Sequence, residues 1–138
     1  MSLKKQLDGV KTIAIVGLSD KPERYSYKVA SYLQSQGFRI IPVNPNITHV
    51  LGEKAYPDLL SIPKDTKVDL VDIFRRSEEV LAHVREAVER GDVKTIWMQE
   101  GVVNEEAKIY AETKGLEVVM NFCLMIFHKE KHQSNVNA

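Results

Sequence analysis

Short apolar runs bounded by turn-forming residues recur along this chain at Thr12–Val16, Arg39–Asn44, Val68–Phe74, Thr95–Met98 and Glu117–Met120. Each is rich in Val and Ile, the pattern of a strand covered on both faces. Segments with helical spacing separate them. Tyr27–Gln36 places Val29, Tyr32 and Leu33 on one face and stops at Gly37, a residue suited to a left-handed helix end. Ser77 is positioned to cap the next helix, with Glu78 and Glu79 in its first turn and Val80, Leu81, Val84, Ala87 and Val88 on its buried stripe. Asn104 repeats the device, followed by Glu105 and Glu106 and an inner face of Ala107, Tyr110 and Ala111. A helical opening is expected at Leu3–Leu7, a short helix between Pro57 and Pro63, and a frayed polar tail over Lys129–Ala138.

Strands alternating with helices imply an α/β fold with a parallel sheet and right-handed crossovers. The expectation is a single three-layer Rossmann-like domain over residues 1–128, with the five runs ordered 3-2-1-4-5 in the sheet. The flavodoxin-like order 2-1-3-4-5 is the alternative. In both, ligands sit beyond the carboxyl ends of the strands, next to strand 1. That rule selects Gly17 to Ser26, Asn44-Pro45-Asn46, Phe74-Arg75-Arg76, Gln99-Glu100-Gly101 and Asn121 to Cys123 as the segments to inspect.

Composition narrows the picture further. A chain of 138 residues with 43% hydrophobic and 28% charged residues is expected to form one soluble domain. Its 19 basic and 19 acidic residues balance, so no global field attracts nucleic acid or an anionic membrane, and any anion site must be local. Cys123 is the lone cysteine, which excludes an internal disulfide, and no apolar run has the length of a signal peptide or membrane span. A cytoplasmic location is expected.

The first strand end carries the strongest signal. At Thr12 to Ser26 an apolar run ends in Gly17 and opens a polar, basic loop leading into a helix, the arrangement that holds a phosphate at the tip of a first strand. The loop departs from the dinucleotide fingerprint, because Ser19 and Pro22 stand where glycines are required, and Pro22 also breaks a P-loop. Gly17 lets the backbone pass close to a ligand, Ser19 and Ser26 can donate to phosphate oxygens, and Lys21 and Arg24 add positive charge. A solvated loop with a helix cap is the competing reading.

The second strand end bears on that choice. NAD sites usually place an acidic residue there for the ribose hydroxyls, yet no acidic residue occurs between Glu23 and Glu53, and Arg24, Lys28 and Arg39 fall in that window. Such a window suits an adenosine with an extra ribose phosphate, as in NADP or coenzyme A. Asn44-Pro45-Asn46 reads either as a plain strand-stopping turn or as a surface for adenine. Arg75 and Arg76, adjacent at a helix entry, oppose the helix dipole unless an anion is near. Asp69 and Asp72 are given structural roles. Gly101 lets an extended ligand arm run along the backbone beside Gln99, or else belongs to a helix-entry turn. Cys123 is either a buried inert thiol or faces the far end of whatever the Gly17 loop anchors.

Together these segments resemble the stand-alone coenzyme A-binding proteins, whose domain is similar to the nucleotide-binding domain of the succinyl-CoA synthetase α subunit. The resemblance spans about Val10 to His128 and rests on six pieces in order: G-L-S-D-K-P-E-R-Y-S at 17–26, I-P-V-N-P-N at 41–46, L-G-E-K-A-Y-P-D-L at 51–59, V-D-I-F-R-R at 71–76, W-M-Q-E-G-V-V-N-E-E-A at 97–107 and V-V-M-N-F-C-L at 118–124. One departure is that relatives commonly read D-R-C where this chain has Asn121-Phe122-Cys123, which removes a charge pair. The resemblance implies that Gly17, Ser19, Lys21, Arg24 and Ser26 surround the phosphates and that Val43, Asn44 and Pro45 border the adenosine. It places Phe74 and Arg75 beside the diphosphate and arm, and Gln99, Gly101 and Val102 near the pantetheine.

The function so implied is binding of coenzyme A or an acyl-CoA without evident catalytic machinery. In the synthetases the phosphorylated histidine lies in a second domain. His49, His83, His128 and His132 do not stand at a strand end beside a nucleophile. A protein partner that supplies catalytic groups, or a homodimer, fits this role, whereas nucleic acid and membrane do not. The alternative is an NADP-dependent reductase. A phospho-acceptor switch would need acidic residues at the ends of strands 1 and 3, where Gly17 and Phe74 stand.

Overall fold

The computed structural model describes residues 7–136. Strands β1 (Thr12–Val16), β2 (Arg39–Val43), β5 (Leu70–Ile73), β6 (Thr95–Met98) and β7 (Glu117–Val119) form one parallel sheet, and β3 (His49–Val50) pairs with β4 (Glu53–Lys54) in a small antiparallel hairpin. Helices α1 (Tyr25–Ser35), α2 (Val80–Arg90), α3 (Glu105–Thr113) and α4 (Leu124–Val136) complete the architecture. The α/β Rossmann-like class is as the apolar pattern implies.

The strand order differs from the favoured expectation. It runs β2-β1-β5-β6-β7, which in the order of the five apolar runs is 2-1-3-4-5. The run at Val68–Phe74 lies beside β1, with Ile13 opposite Leu70 and Val16 opposite Ile73. The outer edge of β2, where a 3-2-1-4-5 sheet would place its third strand, is occupied by a single bridge at Tyr56. There the Asn44 N–H donates to the Tyr56 carbonyl at 2.8 Å and the Tyr56 N–H to the Pro42 carbonyl at 3.0 Å. Pro57 follows and cannot donate to a longer ladder.

Alternation along the strands divides the core into two layers. Ala14, Val16, Val71, Ile73, Ile96 and Met98 pack with Val80, Val84, Ala107 and Ala111 of α2 and α3. Ile13, Ile15, Leu70 and Trp97 pack with Val29 and Leu33 of α1 and Leu124 and Phe127 of α4. Asp69 closes the amino end of the sheet by accepting the Lys11 and Thr12 N–H groups at 2.9 and 3.0 Å. The long connection from β2 to β5 contains a short 3-10 turn, Leu59–Ser61, capped by Asp58, where a short helix is expected. Arg90 braces this connection, donating to the carbonyls of Leu59, Ile62 and Thr66 at 3.0, 2.7 and 2.9 Å and pairing with Asp92 at 2.9 Å.

Two local expectations change. Ser77 does not cap a helix; its hydroxyl accepts from the Val103 N–H at 3.0 Å and so ties the β5 exit to the β6 exit. The segment expected to fray from Lys129 instead continues α4 to Val136, with Lys131 paired to Asp8 at 3.1 Å. Asn104 does cap α3, accepting from the Ala107 N–H at 2.8 Å. Of the expected opening helix only Leu7 lies within the described residues, and it is buried.

Candidate functional site

With β1 between β2 and β5, the connection from β1 runs to β2 on one side and the next crossover, from β2, returns to β5 on the other, so that the switch point falls at the carboxyl ends around Gly17 and Phe74. Gly17 has φ 86°, and a Cβ there would collide with the Phe74 carbonyl oxygen and lie 3.0 Å from its carbon. Its N–H donates to the Val43 carbonyl at 2.8 Å, and the Phe74 N–H to the Val16 carbonyl at 2.8 Å. Three strand ends are thus drawn together around a residue that must lack a side chain.

The loop after Gly17 is held by its own polar groups. The Ser26 hydroxyl accepts the Ser19 N–H at 3.0 Å, and the Ser19 hydroxyl accepts the Lys21 N–H at 3.1 Å. A hydroxyl accepts and donates at once, so both retain a hydrogen for an anion. Arg24 precedes α1 in extended conformation without a side-chain cap, and α1 has no acidic residue in its first turn. The helix N-terminus therefore presents positive potential to the loop. Asn44 has both polar atoms engaged, donating to the Leu18 carbonyl at 3.0 Å and accepting the Asn46 N–H at 2.9 Å. Pro45 is exposed beside it, whereas Val43 is buried in the core.

A cleft of about 650 Å³ opens beyond the ends of β5 and β6, lined by Tyr25, Phe74, Arg75, Arg76, Glu79, Gln99, Glu100 and Val102. Gln99 is only 2% exposed. Its amide oxygen accepts the Leu124 N–H at 3.0 Å, while its amide nitrogen and Arg75 Nε are buried without partners. Lys21, Arg24, Arg75 and Arg76 have no ion pair among the described residues. The cleft therefore offers unpaired donors, the complement of an acceptor-rich anionic ligand. His83 stands near Arg75; burial, then the Arg75 charge, holds its imidazole below the usual histidine range.

Gly101 sits at the far side, its N–H donating to Asn121 Oδ1 at 2.7 Å. Asn121 has φ 60°, a left-handed conformation that asparagine tolerates. Cys123 is buried at 3% exposure, with Sγ 2.8 Å from the Tyr25 hydroxyl. It also borders a second hollow of about 200 Å³. Phe74, Arg75, Gln99 and Val102 share the large cleft, to which the loop after Gly17 contributes Tyr25; Gly17, Ser19, Lys21, Arg24, Ser26, Asn44, Pro45 and Gly101 lie outside its lining, and Cys123 is bonded to Tyr25.

Residues outside the expected set also contribute. Tyr25 lies inside the G-L-S-D-K-P-E-R-Y-S segment but received no role; it links the start of α1 to the start of α4, and burial foremost raises its phenol above the ordinary tyrosine range. Asp72 is fully buried with neither oxygen paired, and burial raises its carboxyl well above the ordinary range. A carboxylate inside the otherwise apolar run L-V-D-I is the signal that marks it. Glu79 and Glu100 add acceptors to the cleft wall.

The chain is 43% identical over 126 residues to the uncharacterized protein YneT of Bacillus subtilis (strain 168), covering 91% of each chain. It is 34% identical over 136 residues to the acetate–CoA ligase [ADP-forming] II subunit alpha of Pyrococcus furiosus, covering 91% of this chain but only 29% of that subunit. A solved structure from Thermus thermophilus matches with a TM-score of 0.87 at 33% identity, over 94% of this chain and 96% of that one. The family model for the CoA binding domain matches residues 11–129, and the chain belongs to that family.

Proposed function

We propose that this protein binds coenzyme A or an acyl-CoA and acts as a binding module in the cytoplasm. The observation that carries the reading is the Gly17–Phe74 crevice with buried, unpartnered donors at Arg75 and Gln99. Ser19, Ser26, Lys21 and Arg24 surround the phosphates, and Pro45 borders the adenosine with the Asn44 backbone. Val43 supports that surface from below. Phe74 and Arg75 flank the diphosphate, and the arm runs past Gln99, Val102 and Gly101. Catalytic groups, where a reaction is served, come from a protein partner, as membership in a family that includes a domain of an ADP-forming ligase subunit suggests.

The test is the mass of the ligand retained on native purification, followed by calorimetry with CoA and NADPH. Retained or titrated CoA with no NADPH response is expected. Tight NADPH binding without a CoA response would sink the proposal in favour of a reductase.

A further inference from the structure

We infer that the small hollow beyond the cleft is an acyl pocket selective for short, uncharged acyl thioesters; this rests on the coenzyme A reading. The hollow of about 200 Å³ is lined by Glu100, Asn121, Phe122, Cys123 and Ile126. Glu100 also lines the large cleft, so the two cavities share one wall residue. An arm running along Phe74, Gln99 and Val102 reaches that boundary, and whatever its sulfur carries continues into the hollow.

The walls of the hollow are positioned. Leu124, at the start of α4, is fixed to β6 through Gln99 Oε1 at 3.0 Å. Asn121 is pinned to Gly101 at 2.7 Å, and Cys123 is held by Tyr25 at 2.8 Å. The Phe122 and Phe127 rings meet edge to face with centroids 6.0 Å apart, which steadies the aromatic wall. Ile126 is 40% exposed, an apolar side chain on the helix surface that an acyl chain would cover.

Size and charge define the ligand class. A volume of about 200 Å³ equals six or seven water-sized groups at roughly 30 Å³ each, enough for a chain of about four carbons. Glu100 is the only charged residue of the lining and no base accompanies it, so a dicarboxylic acyl group would bring a second carboxylate against it. Butyryl and succinyl groups have the same carbon count and differ at the terminus, which makes them the matched probes.

Calorimetric titration with CoA, acetyl-CoA, butyryl-CoA and succinyl-CoA tests the pocket. Each fully buried methylene strengthens binding about fourfold, so butyryl-CoA should bind roughly 5–15-fold tighter than acetyl-CoA, and succinyl-CoA no tighter than acetyl-CoA. In Ile126→Trp, which fills the hollow from the helix surface, the ratio of the acetyl-CoA to butyryl-CoA dissociation constants should fall to about one. A wild-type ratio near one, a ratio that survives in Ile126→Trp, or succinyl-CoA binding as tightly as butyryl-CoA would each overturn the acyl pocket while leaving the CoA site intact. No binding of CoA or any of its esters would overturn both.

Discussion

Gly17→Ala probes the crevice where fold and site coincide. The substitution places a side chain on a residue with φ 86°, and the atom it meets is backbone, the Phe74 carbonyl. That carbonyl cannot move freely, because the Phe74 N–H is bound to Val16 at 2.8 Å and Ile73 is paired with Met98 and Val16. The left-handed conformation costs about 1–2 kcal/mol for a residue with a Cβ, and forcing atoms into a packed site adds about 1–3 kcal/mol. Gly37→Ala is the control: Gly37 has φ 95° but nothing within 4 Å of its would-be Cβ, so only the conformational part applies. A chain of this size loses roughly 3–5 °C of melting temperature per kcal/mol. Thermal unfolding followed by circular dichroism should therefore show a fall of about 10 °C or more for Gly17→Ala, against about 5 °C for Gly37→Ala. Displacing Phe74 also shifts Arg75, so CoA affinity measured below both transitions should drop at least about tenfold in Gly17→Ala alone. Equal melting temperatures in the two variants would refute the collision, and retained CoA affinity in Gly17→Ala would detach the ligand from this strand tip.

Arg24→Ala combined with Arg75→Ala should weaken CoA binding and flatten its salt dependence together; calorimetry at two ionic strengths reads both, and unchanged affinity removes these arginines from the site. Asp72, fully buried, has its folded carboxyl raised above the ordinary value of 3.8. The folded state thus holds the proton more strongly, and the stability this confers is lost as pH rises from about 4 through the folded value. Asp72→Asn should accordingly gain on the wild type in urea denaturation between about pH 4 and pH 7, and a gap that fails to widen refutes the assignment. Arg90→Ala strips the donors from the Leu59, Ile62 and Thr66 carbonyls and should cost about 3–5 kcal/mol by the same measurement, whereas a loss below about 1 kcal/mol would show that water replaces the brace.

Element positions were legible because each strand is a short apolar run with a turn residue at its end, and Asn104 had the side chain its capping role requires. Strand order was not legible in the same way. Both orders alternate strand and helix identically, and they differ in whether the third run covers the outer edge of β2 or lies beside β1. That edge is filled by Tyr56 alone, because Pro57 ends the pairing, and a one-residue bridge leaves no apolar run to read. The end of α4 was hidden for a related reason. Its last turns are polar, and contacts distant in sequence hold them, including Lys131 with Asp8 at 3.1 Å and Lys129 over the Tyr32 ring at 5.1 Å.

The site was more legible than the sheet order because the strand-end rule holds in either topology, yet the corrected order changes its geometry. In a 3-2-1-4-5 sheet Gln99 would stand beside Gly17; in the observed sheet Phe74 stands there and Gln99 lies one strand further out. A ligand anchored at Gly17 therefore meets the Phe74-Arg75 backbone before it reaches Gln99. This matches a molecule whose charged phosphates precede a long amide-bearing arm. Tyr25, which sequence alone leaves without a role, and Asp72, which it reads only as structural, act through partners or through burial that the chain brings together only on folding. Tyr25 reaches Cys123 across 98 positions, and Asp72 is made unusual by the apolar layers around it. The candidate site can be read from where strands end; the residues that support it become visible only in the packing.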